Sequence, residues 1–279
     1  MLSILGAVAT FHLVSVPYEG GANQRGSAGA VDFLLPRLEK RLTAHTKVDV
    51  GAAPVSAISG ALCHALLPML GTSTVPIVLG GDHTVAVGSV GASQAHCLAQ
   101  NATLGVLWID AHADFNTMES SPTRNLHGMP VAILCGHTLP EVRGELPALK
   151  PGQFAYLGVR DVDPLERDRM CKYGMRELAH ADDVEGWMDS VDRVHVSLDV
   201  DSIYHRALAV NTPVAGGLPM DVLLATLRLA RRSGKLLCAD VVEFNPTVGD
   251  ASFTARLIEA MIATMVDAGD TDAEGDEMF

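Results

Sequence analysis

The sequence predicts an α/β fold: a three-layer, mostly parallel, doubly wound sheet with helices on both faces, formed by one domain over residues 1–266. Two observations predict it. Short apolar runs of strand length alternate along the chain with longer segments of helical periodicity, which is the order of βαβ units. Of the 279 residues, 48% are hydrophobic but only 5% aromatic, so Gly, Ala, Val and Leu fill the interior. That amount suits one large core built from a sheet and small-residue helices.

Taken in order, Leu2–Val16 is an apolar stretch that contains His12 and ends at Pro17. With no basic leading region and no small-residue cleavage site, it reads as a first strand and not as a signal peptide. Tyr18–Gly29 is a Gly-rich loop without the spacing of a phosphate loop or a dinucleotide fingerprint. A helix is expected at Ala30–Thr43, a short strand at Val48–Val50, a helix at Ser56–Leu70 and a strand at Val75–Leu79. Thr84–Leu98 reads as a helix and Thr103–Ile109 as the strand that feeds a long functional loop, Asp110–Asn125. A helix starts near His127 and Gly128. Gln153–Val159 is another strand, ending in the polar run Arg160–Glu166. Met175–Leu178 is weakly patterned, and Asp182–Ser190 is helical. The alternating strand Arg193–Val200, the helix Met220–Arg232, the strand Leu236–Val242 and the helix Ala251–Ala268 complete the domain.

The formal net charge of -13 argues against binding to nucleic acid or to an anionic membrane, both of which need a basic patch. Six acids and no Lys or Arg fall in the last thirteen residues, so 267–279 reads as a disordered, solubilising tail. The five cysteines are scattered, odd in number and free of CxxC pairing. A reducing compartment, the cytoplasm, is the expectation. No apolar run reaches the length of a membrane span.

The chemistry gathers at strand ends. GGDH at Gly80–His83 and DAHADFNT at Asp110–Thr117 each follow an apolar strand, and NLHG follows at Asn125–Gly128. Further acids close other strands: Asp161 and Asp163, Asp199 and Asp201, and Glu243. Ligands of open α/β sheets bind at that carboxyl edge. Asp110, His112 and Asp114 alternate, and alternate residues of an extended chain point to one side. A lone His after Gly-Gly-Asp, or one Asp at a strand end, reads equally well as a turn or helix cap. Three ionisable groups side by side do not, because they are costly to bury without a counter-charge. Four Asp carboxylates and two neutral His carry a charge of about −4, which matches two divalent cations sharing carboxylates. Oxygen-rich ligands with two imidazoles and no thiolate suit Mn²⁺. Such a pair activates water, so hydrolysis is expected.

These motifs resemble the ureohydrolases, and among them the arginases most closely. They stand in order as GGDHTVAVG (Gly80–Gly88), DAHADFNT (Asp110–Thr117), NLHGMPV (Asn125–Val131), SLDVDS (Ser197–Ser202), TPVAGGL (Thr212–Leu218) and DVVEFNP (Asp240–Pro246). The resemblance spans nearly the whole chain except the acidic tail, and implies the arginase-like α/β fold. It also implies two manganese ions per chain: one held by His83, Asp110, Asp114 and Asp199, the other by Asp110, His112, Asp199 and Asp201. In that reading a metal-bridging hydroxide attacks the guanidinium carbon of L-arginine, giving L-ornithine and urea. Asp114 would be the general acid–base, His127 the proton shuttle and Glu243 the partner of the guanidinium. Asn116, Thr123 and Asn125 match the family's loop for the substrate carboxylate, and Asp163 and Glu166 its segment near the α-amino group. Thr212 joins the substrate contacts. The resemblance further implies a homo-trimer or homo-hexamer.

Two departures bear on substrate choice. Arginases usually carry Ser-Gly-Asn where this chain has Thr123-Arg124-Asn125. Arg124 either clamps a carboxylate or points to solvent. After Asp201 the chain runs Ser202-Ile203-Tyr204-His205 in place of the family's common Gly-Leu-Asp-Pro, with a loop about one residue shorter. The alternatives are a formiminoglutamase or another guanidino-acid ureohydrolase, and, from a different class, a non-catalytic regulatory subunit. Agmatine lacks the carboxylate that the loop would read.

Overall fold

In a computed structural model the described residues are 11–51 and 53–266. The first part of the expected strand Leu2–Val16, the tail 267–279 and the last two positions of the helix Ala251–Ala268 lie outside them.

Strands and helices alternate in the expected manner. The strands are β1 (Phe11–Val16), β2 (Leu42–Lys47), β3 (Pro76–Gly80), β4 (Leu104–Ile109), β5 (Phe154–Leu157), β6 (Arg176–Leu178), β7 (Arg193–Asp199) and β8 (Leu236–Val242). The helices are α1 (Ala30–Leu38), α2 (Val55–Leu66), α3 (Ala86–Ala99), α4 (Pro130–Leu134), α5 (Pro140–Arg143), α6 (Pro164–Tyr173), α7 (Ala181–Met188), α8 (Met220–Arg232) and α9 (Ala251–Val266). All eight strands pair in parallel in the order β2-β1-β3-β8-β7-β4-β5-β6.

Alternation along each strand divides the interior into two layers. In β4, Leu107 and Ile109 join a cluster with residues of α1, α7, α8 and α9, whereas Val106 and Trp108 join one with residues of α2, α3 and α4. Helices cover both faces, so the central strands are buried almost throughout: β3 and β4 read as continuous apolar runs, β8 carries one buried acid, Asp240, and β7 alternates. In α8, Leu223, Thr226, Leu227 and Ala230 are buried, a stripe at helical spacing that lays the helix on the sheet. α3 packs on α2 through Gly88, where an added Cβ would lie 2.9 Å from the Ser59 carbonyl oxygen.

The strand order positions the site. β7 and β8, late in sequence, insert between β3 and β4 at the centre of the sheet. The carboxyl ends of β3, β8, β7 and β4 are therefore neighbours, and the chain reverses its direction of growth there. That is the switch point at which open α/β sheets bind ligands.

Three differences from the sequence reading have physical causes. The first helix ends at Leu38 and not at Thr43, and the strand expected at Val48–Val50 lies instead at Leu42–Lys47. β2 is an edge strand with most of its side chains exposed, so no apolar face marks it. α6 begins inside the polar run Arg160–Glu166, and no apolar stripe marks it because of its ten residues only Glu166 and Met170 are buried. The weakly patterned Met175–Leu178 contains the short edge strand β6.

Candidate metal centre

The ends of three strands, β3, β4 and β7, deliver six ionisable side chains to one point. β3 runs into the tight turn Gly80–Asp82, which the chain accepts because position 81 is glycine: a Cβ there would lie 2.0 Å from the Tyr18 carbonyl oxygen. Asp82 caps the next turn by accepting the Thr84 N–H (3.0 Å) and also accepts the Gly21 N–H (2.6 Å). Asp82 is thus the structural residue of GGDH, and burial, followed by the charge of Glu243, raises its pKa to about 6. His83 follows with its ring buried and stacked on Trp108, the centroids 4.2 Å apart and the planes 8° apart.

β4 ends in Asp110, β7 in Asp199, and each aspartate divides its two oxygens between backbone and cluster. Asp110 Oδ1 accepts the His112 N–H (2.8 Å), and its Oδ2 accepts the Trp108 Nε1–H (3.0 Å). Asp199 Oδ1 accepts the Asp201 N–H (2.8 Å). Asp201 Oδ1 accepts the Ala111 N–H (3.2 Å), and its Oδ2 accepts the Thr212 hydroxyl (3.2 Å). Asp114 is held at φ +49°, a left-handed backbone that few non-glycine residues adopt.

The remaining atoms converge. His83 Nδ1 lies 3.1, 3.2 and 3.4 Å from oxygens of Asp110, Asp114 and Asp199. His112 Nδ1 lies 3.2 Å from Asp201 Oδ2 and 3.4 Å from Asp110 Oδ1. Two groups, His83–Asp110–Asp114 and Asp110–His112–Asp201, are each compact enough to hold an ion, and Asp110 belongs to both. Asp199 completes the set beside His83. The six expected ligands are together.

Their electrostatics call for a cation. Burial, then the charge of Asp110, raises the pKa of Asp114 well above the usual carboxylate range. Burial, then Asp201 and Asp110, does the same to Asp199, and burial with Asp110 raises Asp201. Asp110 moves the other way: burial opposes its charge, but His112 and His83 outweigh burial and lower its pKa. Burial opposes charge on both imidazoles too, yet the surrounding carboxylates raise their pKa values. His83 Nδ1 is buried and makes a properly directed hydrogen bond to none of its three carboxylate neighbours. A divalent cation among these oxygens fits that orphaned lone pair and neutralises the cluster.

Above the cluster is a cavity of about 150 Å³, lined by His83, His112, Asp114 and Asp199 at its floor. Its walls include Asn116, Ser121, Thr123, His127, Asp163, Glu166, Thr212 and Glu243. Glu243 follows β8 at φ +66° and is 2% exposed. Its Oε1 accepts the His83 backbone N–H at 2.8 Å and lies 2.9 Å from His127 Nδ1. Its Oε2 is buried and without a partner.

Elsewhere in the lining, Asn116 Nδ2 donates to Asp163 Oδ2 (3.0 Å) and its Oδ1 accepts the Ser120 hydroxyl (2.8 Å). Glu166 Oε1 accepts the Phe115 N–H at 2.7 Å. Burial raises the pKa of Glu166 to about 7. Thr123 lines the cavity and accepts the Asn125 N–H (3.2 Å). Asn125 itself and Arg124 stand outside the lining, and Arg124 is exposed.

The sequence reading missed three contributors. Trp108, one position before Asp110, stacks on His83 and bonds Asp110; its place on the strand gave no sign of that. Ser121 lines the cavity from the middle of the long loop. Arg160 binds five backbone carbonyls, those of Gly158, Asp201, Ser202, Val214 and Ala215, and so ties the end of β5 to the loop after β7.

Comparison with known proteins agrees with this geometry. The model of the arginase family matches residues 9–267. The arginase of Bacillus subtilis is 28% identical over 92% of this chain and 97% of its own, and that of Brevibacillus brevis 33% identical over 73% and 72%. The crystal structure of the Bacillus subtilis arginase superposes with a TM-score of 0.81 at 26% identity, covering 93% of this chain and 99% of that one. Eight parallel strands, a carboxyl-edge cluster of four aspartates and two histidines, and these matches lead to one assignment: the chain belongs to the arginase family.

Proposed function

We propose that the protein hydrolyses L-arginine to L-ornithine and urea at a centre of two manganese ions. The observation that carries this reading is Glu243. Glu243 lines the cavity above the aspartate cluster, with one of its oxygens occupied by His83 N–H and His127 and the other buried and unpartnered. A buried carboxylate oxygen of that kind needs a cation with planar N–H donors, and a guanidinium provides it through charge-assisted hydrogen bonds.

His83, Asp110, Asp114 and Asp199 would hold one ion, and Asp110, His112, Asp199 and Asp201 the other. Carboxylates and imidazoles without a thiolate support manganese. The ion pair supplies a water acidic enough to act as a nucleophile at neutral pH. Glu243 holds the guanidinium with its carbon over the cluster. Asp114, whose carboxylate lines the cavity floor, takes the proton of the attacking water and returns it to the departing nitrogen. His127, half-buried on the wall, passes protons to and from solvent. At the far wall Asn116 and Thr123 would meet the amino-acid carboxylate, with Asn125 holding the Thr123 hydroxyl through its backbone N–H. Asp163, with Glu166 behind it, would meet the α-amino group. Thr212 keeps Asp201 oriented. The small cavity suits a substrate of amino-acid size.

We further propose a cytoplasmic protein, supported by five free cysteines, and a trimer or hexamer, as in the family. The acidic segment 267–279 is proposed as a solubilising tail. Among the described residues no helix is long and apolar enough to cross a membrane.

The test is urea release from L-arginine by the Mn²⁺-loaded protein beside an Asp114→Asn control. Release that the control abolishes supports the reading. A chain that holds two ions and yields no urea overturns the substrate, and formimino and other guanidino acids are then assayed. A chain that binds no ion supports the non-catalytic subunit.

A further inference from the structure

Behind His83, on the side away from the cavity, is a buried polar network that the proposed reaction does not use. His83 Nε2 lies 3.0 Å from Ser197 Oγ, and Ser197 Oγ donates to Asp240 Oδ1 at 2.7 Å. Asp240 Oδ2 accepts the Ser89 hydroxyl at 2.6 Å and lies 2.8 Å from His195 Nε2. His195 Nδ1 in turn lies 2.8 Å from Ser93 Oγ. Every one of these side chains is fully buried; His83 stands in the turn after β3, and the others come from β7, β8 and α3.

The proton count gives the network a direction. Asp240 sits among three donors, and a carboxylate accepts all three only when ionised. The single Ser197 proton is then committed to Asp240. The Ser197 oxygen can only accept from His83, so Nε2 carries the hydrogen and Nδ1 presents a lone pair to the aspartates.

We propose that Asp240, through Ser197, is the positioning residue that fixes His83 as the Nε2–H tautomer and sets the cation affinity of the His83–Asp110–Asp114–Asp199 position, with His195 and Ser89 bracing Asp240. This rests on the two-cation reading of the cluster. His112 has no link to the network, so the position it shares with Asp201 stays outside its reach. Partners behind a metal-bound imidazole commonly change affinity by roughly 10–100-fold when removed.

The experiment is titration of the metal-stripped full chain with Mn²⁺, reading free Mn²⁺ by its electron paramagnetic resonance signal. Wild type is compared with Ser197→Ala, with His83→Asn and His112→Asn identifying which position weakens. Ser197→Ala is expected to lose roughly 10–100-fold in affinity for one cation, the one that His83→Asn weakens, and to keep the other. Its metal-free melting curve should overlay that of wild type. Equal affinity for both cations in Ser197→Ala and wild type overturns the relay and leaves the two-cation reading standing. A wild-type chain that takes up no Mn²⁺ overturns both. Should Ser197→Ala not fold, Ser197→Thr and Ser197→Val differ only in the hydroxyl at equal volume. Thr is expected to bind like wild type and Val more weakly, and equal binding by the two overturns the relay.

Discussion

His127 Nδ1 lies 2.9 Å from Glu243 Oε1 across the cavity wall, and the same oxygen accepts the backbone N–H of His83. Glu243 is thereby fixed by two contacts on one oxygen while the other stays free for a ligand. Removing the carboxylate charge but not its shape tests what that free oxygen does. Glu243→Gln should lower kcat/KM for L-arginine by about 10–150-fold, the loss of one charge-assisted hydrogen bond worth about 1.5–3 kcal/mol. Steady-state urea assays check this. An unchanged kcat/KM would mean that the guanidinium docks elsewhere.

The same pair makes the metal-free protein sensitive to alkali. Burial works against the His127 imidazolium, but Glu243, aided by Asp114 and Asp82, outweighs burial and raises its pKa from 6.5 to about 9. A histidine bound more tightly to its proton in the folded state adds stability that is full below pH 6.5 and lost as pH rises through about 9. The contribution is at most ~3 kcal/mol. Urea denaturation of the metal-stripped protein should show that loss in wild type and a flatter curve in His127→Asn. Parallel curves would mean the pair is not charged.

Glu166 acts in a lower window. Burial raises its carboxyl from 4.5 to about 7, against the hydrogen bond from the Phe115 N–H, which lowers it. The folded state therefore binds more protons than the unfolded state between these values, and stability falls as pH rises from 4.5 through about 7. In the metal-stripped protein Glu166→Gln should remove that slope and be the more stable chain at pH 8, by up to ~3 kcal/mol. Denaturation midpoints at pH 5 and 8 decide it. A wild-type slope that persists in the variant would assign it to another group.

The parts of this site that were legible in the sequence share one physical origin. β3 and β4 are apolar runs buried on both faces, β7 alternates and β8 is apolar but for Asp240, and the polar residues at or just beyond the ends of these four strands are the six candidate ligands and Glu243. The parts that were not legible depend on pairings that no local pattern records. Asp240, Ser197 and His195 meet only because β7 and β8 are neighbours and α3 crosses them. Arg160 is one charge in a polar run after a strand until the loop after β7 folds its carbonyls around it. The edge strand β2 and the helix α6 bury too little apolar surface to impose a period on their residues.

Arg160 should matter through geometry and not through charge. Its guanidinium donates to five carbonyls, two of them, of Val214 and Ala215, within three residues of Thr212. Lysine keeps the charge but offers three donors from one atom and cannot span them. Arg160→Lys should lower the melting temperature and speed proteolytic cleavage within residues 202–217, with β5 unaffected. Mass spectrometry of limited digests locates the cuts. An unchanged cleavage pattern would show that the loop holds itself.

Arg124 decides between two readings of the substrate, and the structure favours the solvent-facing one. It is exposed, lies outside the cavity lining, and holds φ at +58°. That backbone costs a non-glycine residue about 1–2 kcal/mol, whereas glycine adopts it freely. Its neighbours fix the turn without the guanidinium: the Arg124 N–H donates to Ser121 Oγ at 3.0 Å, and the Asn125 N–H to Thr123 Oγ1 at 3.2 Å. Arg124→Gly should therefore leave KM for L-arginine within about twofold, since no bond worth the ~1.4 kcal/mol of a tenfold change is lost. Its melting temperature should not fall, because the relieved backbone offsets the added freedom of the unfolded chain. A large rise in KM would instead place the Arg124 guanidinium on the substrate carboxylate. Diacids carrying a formimino group would then become the substrates to assay.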